Sequence, residues 1–289
     1  MSGDERCPLQ EPHARNNLFA SRPYAAYVPT LTAATFISLV VISQRIAAFE
    51  GHSVTVINGV KQYLAFPSVS ASTRLPPERW VWTFGVICTW FCLLCPTMWL
   101  AWEVHRWAAL PPRGCLLSAP IVAEALLLLA SLGLLVLAII PLQSDIYDSV
   151  DNLKLATKVH LICGAVFFVC SLAHGCLVVC WQAEWCRQRR RPPVKSSFIA
   201  KLVLTILSLA TVLGPIPQFL LKLCSVETCG ELGGQLRAEN LIGIAQRLLI
   251  LFITGFLASY SLDVLHLQDQ TQKDQKAGCQ KSLFRPARV

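Results

Sequence analysis

The chain has 289 residues, 54% of them hydrophobic and only 15% charged, with a net charge of +8. That balance excludes a soluble globular domain, which carries about 25% charged residues. The positive charge is spread along the chain rather than gathered on one face with aromatics, so a nucleic-acid partner is not expected.

Residues 1–27 are polar, with Arg6, Arg15 and Arg22 among acids. This lead is too long and too mixed for a signal-peptide n-region, so the first apolar run is expected to be an uncleaved anchor. Six runs of roughly 20 apolar residues follow, at about 28–48, 82–104, 116–140, 159–182, 198–222 and 240–264. They predict an all-α membrane protein: a single six-helix transmembrane bundle over residues 28–264. The polar tail, 265–289, is rich in Gln and Lys and is expected to be disordered.

The loop between the first two runs is unusually furnished. It contains Pro67-Ser68-Val69-Ser70, then Pro76-Pro77-Glu78-Arg79-Trp80-Val81-Trp82-Thr83-Phe84. The prolines fix φ and disfavour helix just before them. Trp80 and Trp82 suit the headgroup layer. Cys88, Cys92 and Cys95 in the second run have no histidine nearby and apolar surroundings. They read as small hydrophobes, and no metal is expected.

Ionisable residues inside spans are functional candidates by default. The third run holds Glu124; the fourth holds His160 and His174. Fourteen residues separate the two histidines, so they share a helix face about 21 Å apart along the axis. Gly164, Phe167 and Ser171 lie on the same stripe. Glu124 and His174 sit at matching depths, so they are expected to approach each other. Asp145, Asp148 and Asp151 precede the fourth run. Cys186 follows it in a setting that permits palmitoylation, and then the basic run Arg187 to Arg191, which sets topology and suits anionic headgroups. Pro215 and Pro217 are expected to kink the fifth span. Cys224 and Cys229 fall in the loop after it, spaced for a local disulfide. The sixth run holds Gln246 and Arg247.

Lys and Arg set the orientation. Sixteen lie on the side of the termini: Arg6, Arg15, Arg22, Arg106, Arg113, Arg187, Arg189, Arg190, Arg191, Lys195, Lys201, Lys273, Lys276, Lys281, Arg285 and Arg288. Six lie in the opposite loops: Lys61, Arg74, Arg79, Lys154, Lys158 and Arg237. Both termini are therefore expected in the cytosol and the 66–84 loop in the lumen. That loop, with Glu78 and Arg79, is expected to roof a lumenal cleft near His160, Gln246, Arg247 and Arg45. No nucleophile, zinc-protease or phosphate-loop motif is present. The residues themselves offer His160 as general acid or base, with His174 as the second candidate. No cofactor is expected.

Three features carry a resemblance to the FRAG/DRAM/Sfk group of six-span membrane proteins. Pro67-Ser68-Val69-Ser70 with Pro77-Glu78 fits the group's first loop. His160 occupies its histidine at the start of span four. Gln246 stands where the group usually has a glutamate, and Arg247 where an aromatic is common. Within the group the chain is most similar to the branch that remodels the lipid of glycosylphosphatidylinositol (GPI) anchors. The shared features are the Pro-Ser-Val-Ser loop, Trp80-Val81-Trp82-Thr83-Phe84, the His160/His174 spacing and Glu124. The resemblance implies a Golgi or endoplasmic-reticulum membrane protein that supports reacylation of lyso-GPI, with GPI-anchored proteins or lyso-GPI and membrane lipids as partners. The acyl donor is not implied. The other branches imply a non-enzymatic regulator of autophagy or of phosphoinositide-kinase recruitment, and the alternative to a Golgi location is an endoplasmic-reticulum or lysosomal membrane.

Overall fold

The computed structural model describes residues 22–57, 60–108, 119–142, 153–187, 194–213 and 232–283. Its helices are α1 (Val28–Phe49), α2 (Val69–Ser72), α3 (Glu78–Thr89), α4 (Cys95–Ala108), α5 (Ala119–Ile139), α6 (Leu155–Arg187), α7 (Lys195–Leu213) and α8 (Leu232–Leu283). Six stretches are long and apolar enough to cross a membrane: Ala25–Phe49, Glu78–Arg106, Ala119–Ile139, Leu155–Glu184, Lys195–Leu213 and Glu239–Lys273. The all-α bundle read from the sequence is therefore what forms. The described residues add a short hairpin between the first two spans, β1 (Val54–Ile57) against β2 (Val60–Tyr63), antiparallel with Val54 opposite Tyr63.

The spans form a ring in chain order. Each packs on the next, and α8 closes the ring against α1. Large apolar side chains such as Phe84, Ile162 and Val169 point outward. In lipid this outward apolar surface has no water to escape, so packing and interhelical hydrogen bonds must hold the ring together. Hydroxyls supply several of these. Thr30 Oγ1 pairs with Ser261 Oγ at 2.8 Å and Thr32 Oγ1 with Thr97 Oγ1 at 2.7 Å, tying α1 to α8 and α4. Thr83 Oγ1 donates to the Ala138 carbonyl at 2.8 Å and Trp90 Nε1 to the Ser131 carbonyl at 3.1 Å, tying span two to α5.

Span two is not uniform. Pro96 has no N–H to give, and the turn before it widens into a π-helix, Trp90–Leu94. Cys95 N–H reaches five residues back to the Trp90 carbonyl. The kinks expected at Pro215 and Pro217 lie outside the described residues.

Two expectations need correction. The segment expected to be disordered continues α8 as far as Leu283. The helix carries itself outward with exposed polar pairs such as Lys273–Asp269, four residues apart. Lys201, counted above as a cytosolic positive charge, is fully buried inside the fifth span. Its ammonium pairs with Asp263 of α8, donates to Ser197 Oγ at 2.9 Å and lies 4.2 Å from the Tyr260 ring centroid. This is the charged joint between α7 and α8.

Breaking that joint on one side strands a buried charge. Asp263→Leu is expected to cost about 3–5 kcal/mol, while adding Lys201→Met should restore most of the loss. Unfolding midpoints of the detergent-solubilised protein read this; a double variant no better than the single removes the pairing argument.

Candidate functional site

The segment after the hairpin folds back over one end of the ring. Pro67, Ser68 and Val69 are buried there. Ser68 caps α2, its Oγ accepting from Ala71 N at 3.1 Å. Val69 N donates to Gln246 Oε1 of α8 at 3.0 Å. Phe66 N donates to Asn240 Oδ1 at 2.7 Å. Gly243 makes this approach possible: a Cβ there would stand 1.9 Å from the Phe66 carbonyl oxygen. The short Pro-Ser-Val-Ser element is thus a latch, and each residue has a separate task.

The last residue of that element reaches span four. Ser70 Oγ lies 2.9 Å from His160 Nε2, and His160 Nδ1 lies 2.6 Å from the Ile140 carbonyl. A carbonyl only accepts, so Nδ1 carries a proton and donates to it. In the neutral ring Nε2 is then the acceptor, and the Ser70 hydroxyl donates to it. A serine whose proton points at an oriented imidazole is the arrangement of an activated nucleophile and its base. The orienting group here is a backbone carbonyl, not a carboxylate. His160 is 4% exposed.

Below Ser70 runs an apolar slot with about 760 Å³ of space between its lining atoms, its open mouth included. Spans one, two, three, four and six all line it, through residues such as Val40, Trp82, Leu134, Phe167 and Ile250. Ser70 and Gln246 are among its lining residues, beside the latch. From Gln246 to Leu257 the wall extends roughly 16 Å at 1.5 Å per residue, about half the hydrocarbon core. A second, smaller cavity shares Leu127, Ser171, Ile253 and Leu257 with it and is bordered by His174 and Thr205.

His174 belongs to a different cluster. Its Nδ1 donates to the Ala123 carbonyl at 2.8 Å, so its Nε2 accepts from the Tyr260 hydroxyl at 3.1 Å. The Tyr260 oxygen in turn accepts from His105 Nε2 at 3.1 Å. His105 Nδ1 and Glu124 Oε1, 2.7 Å apart, share one proton between them. The expected approach of Glu124 and His174 therefore takes another form: they share a network, but the direct partner of Glu124 is His105. Both imidazoles and the Tyr260 hydroxyl are bonded within this chain or to a backbone carbonyl, which is how a structural network looks, and His174 lies far from Ser70.

The other expected residues are distributed as follows. Glu78 does not roof the slot. It is fully buried and pairs with His52 Nδ1 at 2.9 Å, leaving Oε2 without a partner among the described residues. Gly51, at φ 72°, ends α1 and turns His52 toward it, with His52 N bonding the Ala47 carbonyl at 2.7 Å. Arg79 lies over Trp80, 5.6 Å from its ring centroid. Trp80 is exposed as expected, but Trp82 is 4% exposed and lines the slot. Arg45 is exposed; its neighbour Gln44 is the residue that faces α8. Asp145, Asp148, Asp151, Cys224 and Cys229 lie outside the described residues.

Sequence reading missed Ser70, His52, His105 and Gln44 as site or network members. Ser70 carried one signal, its place in the Pro-Ser-Val-Ser element, but a lone serine in a loop says nothing of a histidine ninety residues away. His105, Lys201 and Asp263 were findable as polar residues at membrane depth.

Gly243→Ala tests the latch. The methyl cannot coexist with the Phe66 carbonyl, so the segment must lift, at about 1–3 kcal/mol. The expected readout is a lower unfolding midpoint with faster alkylation of a cysteine placed at Ser68; unchanged alkylation shows that the segment does not depend on this approach.

The family model described as Frag1/DRAM/Sfk1/Cwh43P N-terminal domain matches residues 24–267, a range that takes in all six spans but for the end of the last. No curated protein and no solved structure matches the chain. The chain belongs to the Frag1/DRAM/Sfk1/Cwh43P family.

Proposed function

We propose that this protein reacylates lyso-GPI anchors in the lumenal leaflet of a Golgi or endoplasmic-reticulum membrane, with Ser70 as nucleophile and His160 as its base. The observation that carries the reading is the Ser70–His160 hydrogen bond at the mouth of an apolar slot. A slot between helices holds a hydrocarbon chain. A hydroxyl aimed at an imidazole attacks a carbonyl at the end of that chain.

The chemistry divides into two halves. In the first, Ser70 Oγ bonds the carbonyl carbon of an acyl ester or thioester while its proton passes to His160 Nε2. The donor's carbon–oxygen or carbon–sulfur bond breaks, and the leaving alkoxide or thiolate takes that proton. In the second half, the free hydroxyl of the lyso-lipid gives its proton to His160 and attacks the acyl-serine. Ser70 leaves, recovers the proton, and the diacyl lipid is released. The Ile140 carbonyl holds the ring in the tautomer that both halves need. Gln246 fixes the backbone one residue before Ser70, a task that an amide oxygen performs without a carboxylate.

In cells lacking the protein, wild type should restore diacyl anchors, whereas Ser70→Ala and His160→Ala should leave lyso anchors, with rates reduced about 10²–10⁴-fold. Anchor-lipid mass spectrometry reads this, and a fluorophosphonate probe should label wild type but not Ser70→Ala. Full rescue by Ser70→Ala, without labelling of wild type, sinks the proposal.

A further inference from the structure

Two hydrogen-bond donors at the rim of the slot have no acceptor among the described residues. Arg247 Nε donates to Gln44 Oε1 at 3.1 Å. Arg247 Nη1 and Gln44 Nε2 are both buried and without a partner among the described residues. The amide cannot simply be turned over, because Arg Nε only donates and requires the oxygen where it is. Among the described residues no acid pairs with Arg247. A guanidinium stays charged in any protein environment, so this is a half-buried cation with no counter-ion among the described residues. Besides Gln44 Oε1 it has the face of the Phe66 ring, with Cζ 5.6 Å from the centroid. Gly243 keeps the space beside it clear: a Cβ there would come within 2.9 Å of Nη1.

Position identifies what is missing. Gln44 is one turn from Val40 and Arg247 is one turn from Ile250, and both Val40 and Ile250 line the slot. The donors therefore stand about 5 Å beyond the slot's apolar wall, on the Ser70 side. Such an arrangement fits an amphiphile with its chain in the slot and an anionic group at the rim. A guanidinium edge beside an amide N–H matches the oxygens of a phosphate, which accepts from several donors at once.

We infer that Arg247 and Gln44 bind the phosphate of a phospholipid headgroup whose acyl chain occupies the slot. This rests on the acyl-transfer reading for what becomes of the lipid, but not for its binding. The site makes the protein selective for phosphate-bearing lipids over neutral ones, and it places the glycerol hydroxyls between phosphate and chain near Ser70.

The test measures binding to the full-length protein in detergent, with lysophosphatidylinositol, a monoacylglycerol of the same chain and inorganic phosphate as probes. Lysophosphatidylinositol should bind roughly tenfold to a hundredfold more tightly than the monoacylglycerol. Arg247→Gln should erase that difference, and Ser70→Ala should leave it intact. Gln44→Glu is the folding control: its carboxylate pairs with Arg247 internally, so the protein should unfold no earlier than wild type yet lose the preference. Equal binding of the two lipids, a preference surviving both rim variants, or inorganic phosphate binding as tightly as lysophosphatidylinositol overturns the inference. If the preference holds while Ser70→Ala still rescues anchor remodelling in cells, the lipid site stands and the nucleophile assignment falls.

Discussion

Inside a bilayer every polar group must find its partner within the protein. The segment from Phe66 to Ser70 meets that demand by crossing the end of the ring and bonding to α8 and α6. Val69 N is satisfied by Gln246, Phe66 N by Asn240 and the Ser70 hydroxyl by His160. These three bonds join the first loop to the fourth and sixth spans. Without them the slot would be a seam between helices. With them it has a floor of apolar side chains, a polar rim and one serine hydroxyl held over the opening.

The polar residues of the membrane region separate into groups with different fates. Glu124, His105, Tyr260 and His174 form a closed chain of donors and acceptors, and Lys201 with Asp263 closes the neighbouring joint. These bonds hold α4, α5, α6, α7 and α8 in register. At the other end Arg247 and Gln44 retain unspent donors. Ser70 and His160 are bonded to each other, but through a proton that can move.

Gln246 illustrates how a departure from a family pattern is resolved. Read along the chain, an amide where a carboxylate is usual suggests a lost catalytic acid. In the fold its oxygen accepts a backbone N–H, and an amide does that as well as a carboxylate. The residue holds the neighbour of Ser70 in place through that bond. Arg247, one residue on, adds a charge that no acid among the described residues neutralises.

The sequence by itself determined the six spans, the helical class and the family. Length and apolarity are local properties, and lipid admits few other solutions. It also marked His160 and His174 as sharing a face, because helical periodicity alone sets that. What it could not decide was partnership. Glu124 was matched to His174 by depth, yet depth leaves the azimuth around the bundle open, and His105 occupies the nearer position. The same limit hid Ser70 from His160, Glu78 from His52, Lys201 from Asp263 and Gln44 from Arg247. Each pair joins residues from different elements, and only the ring closure of α8 on α1, with the first loop folded across its end, brings them within hydrogen-bonding distance.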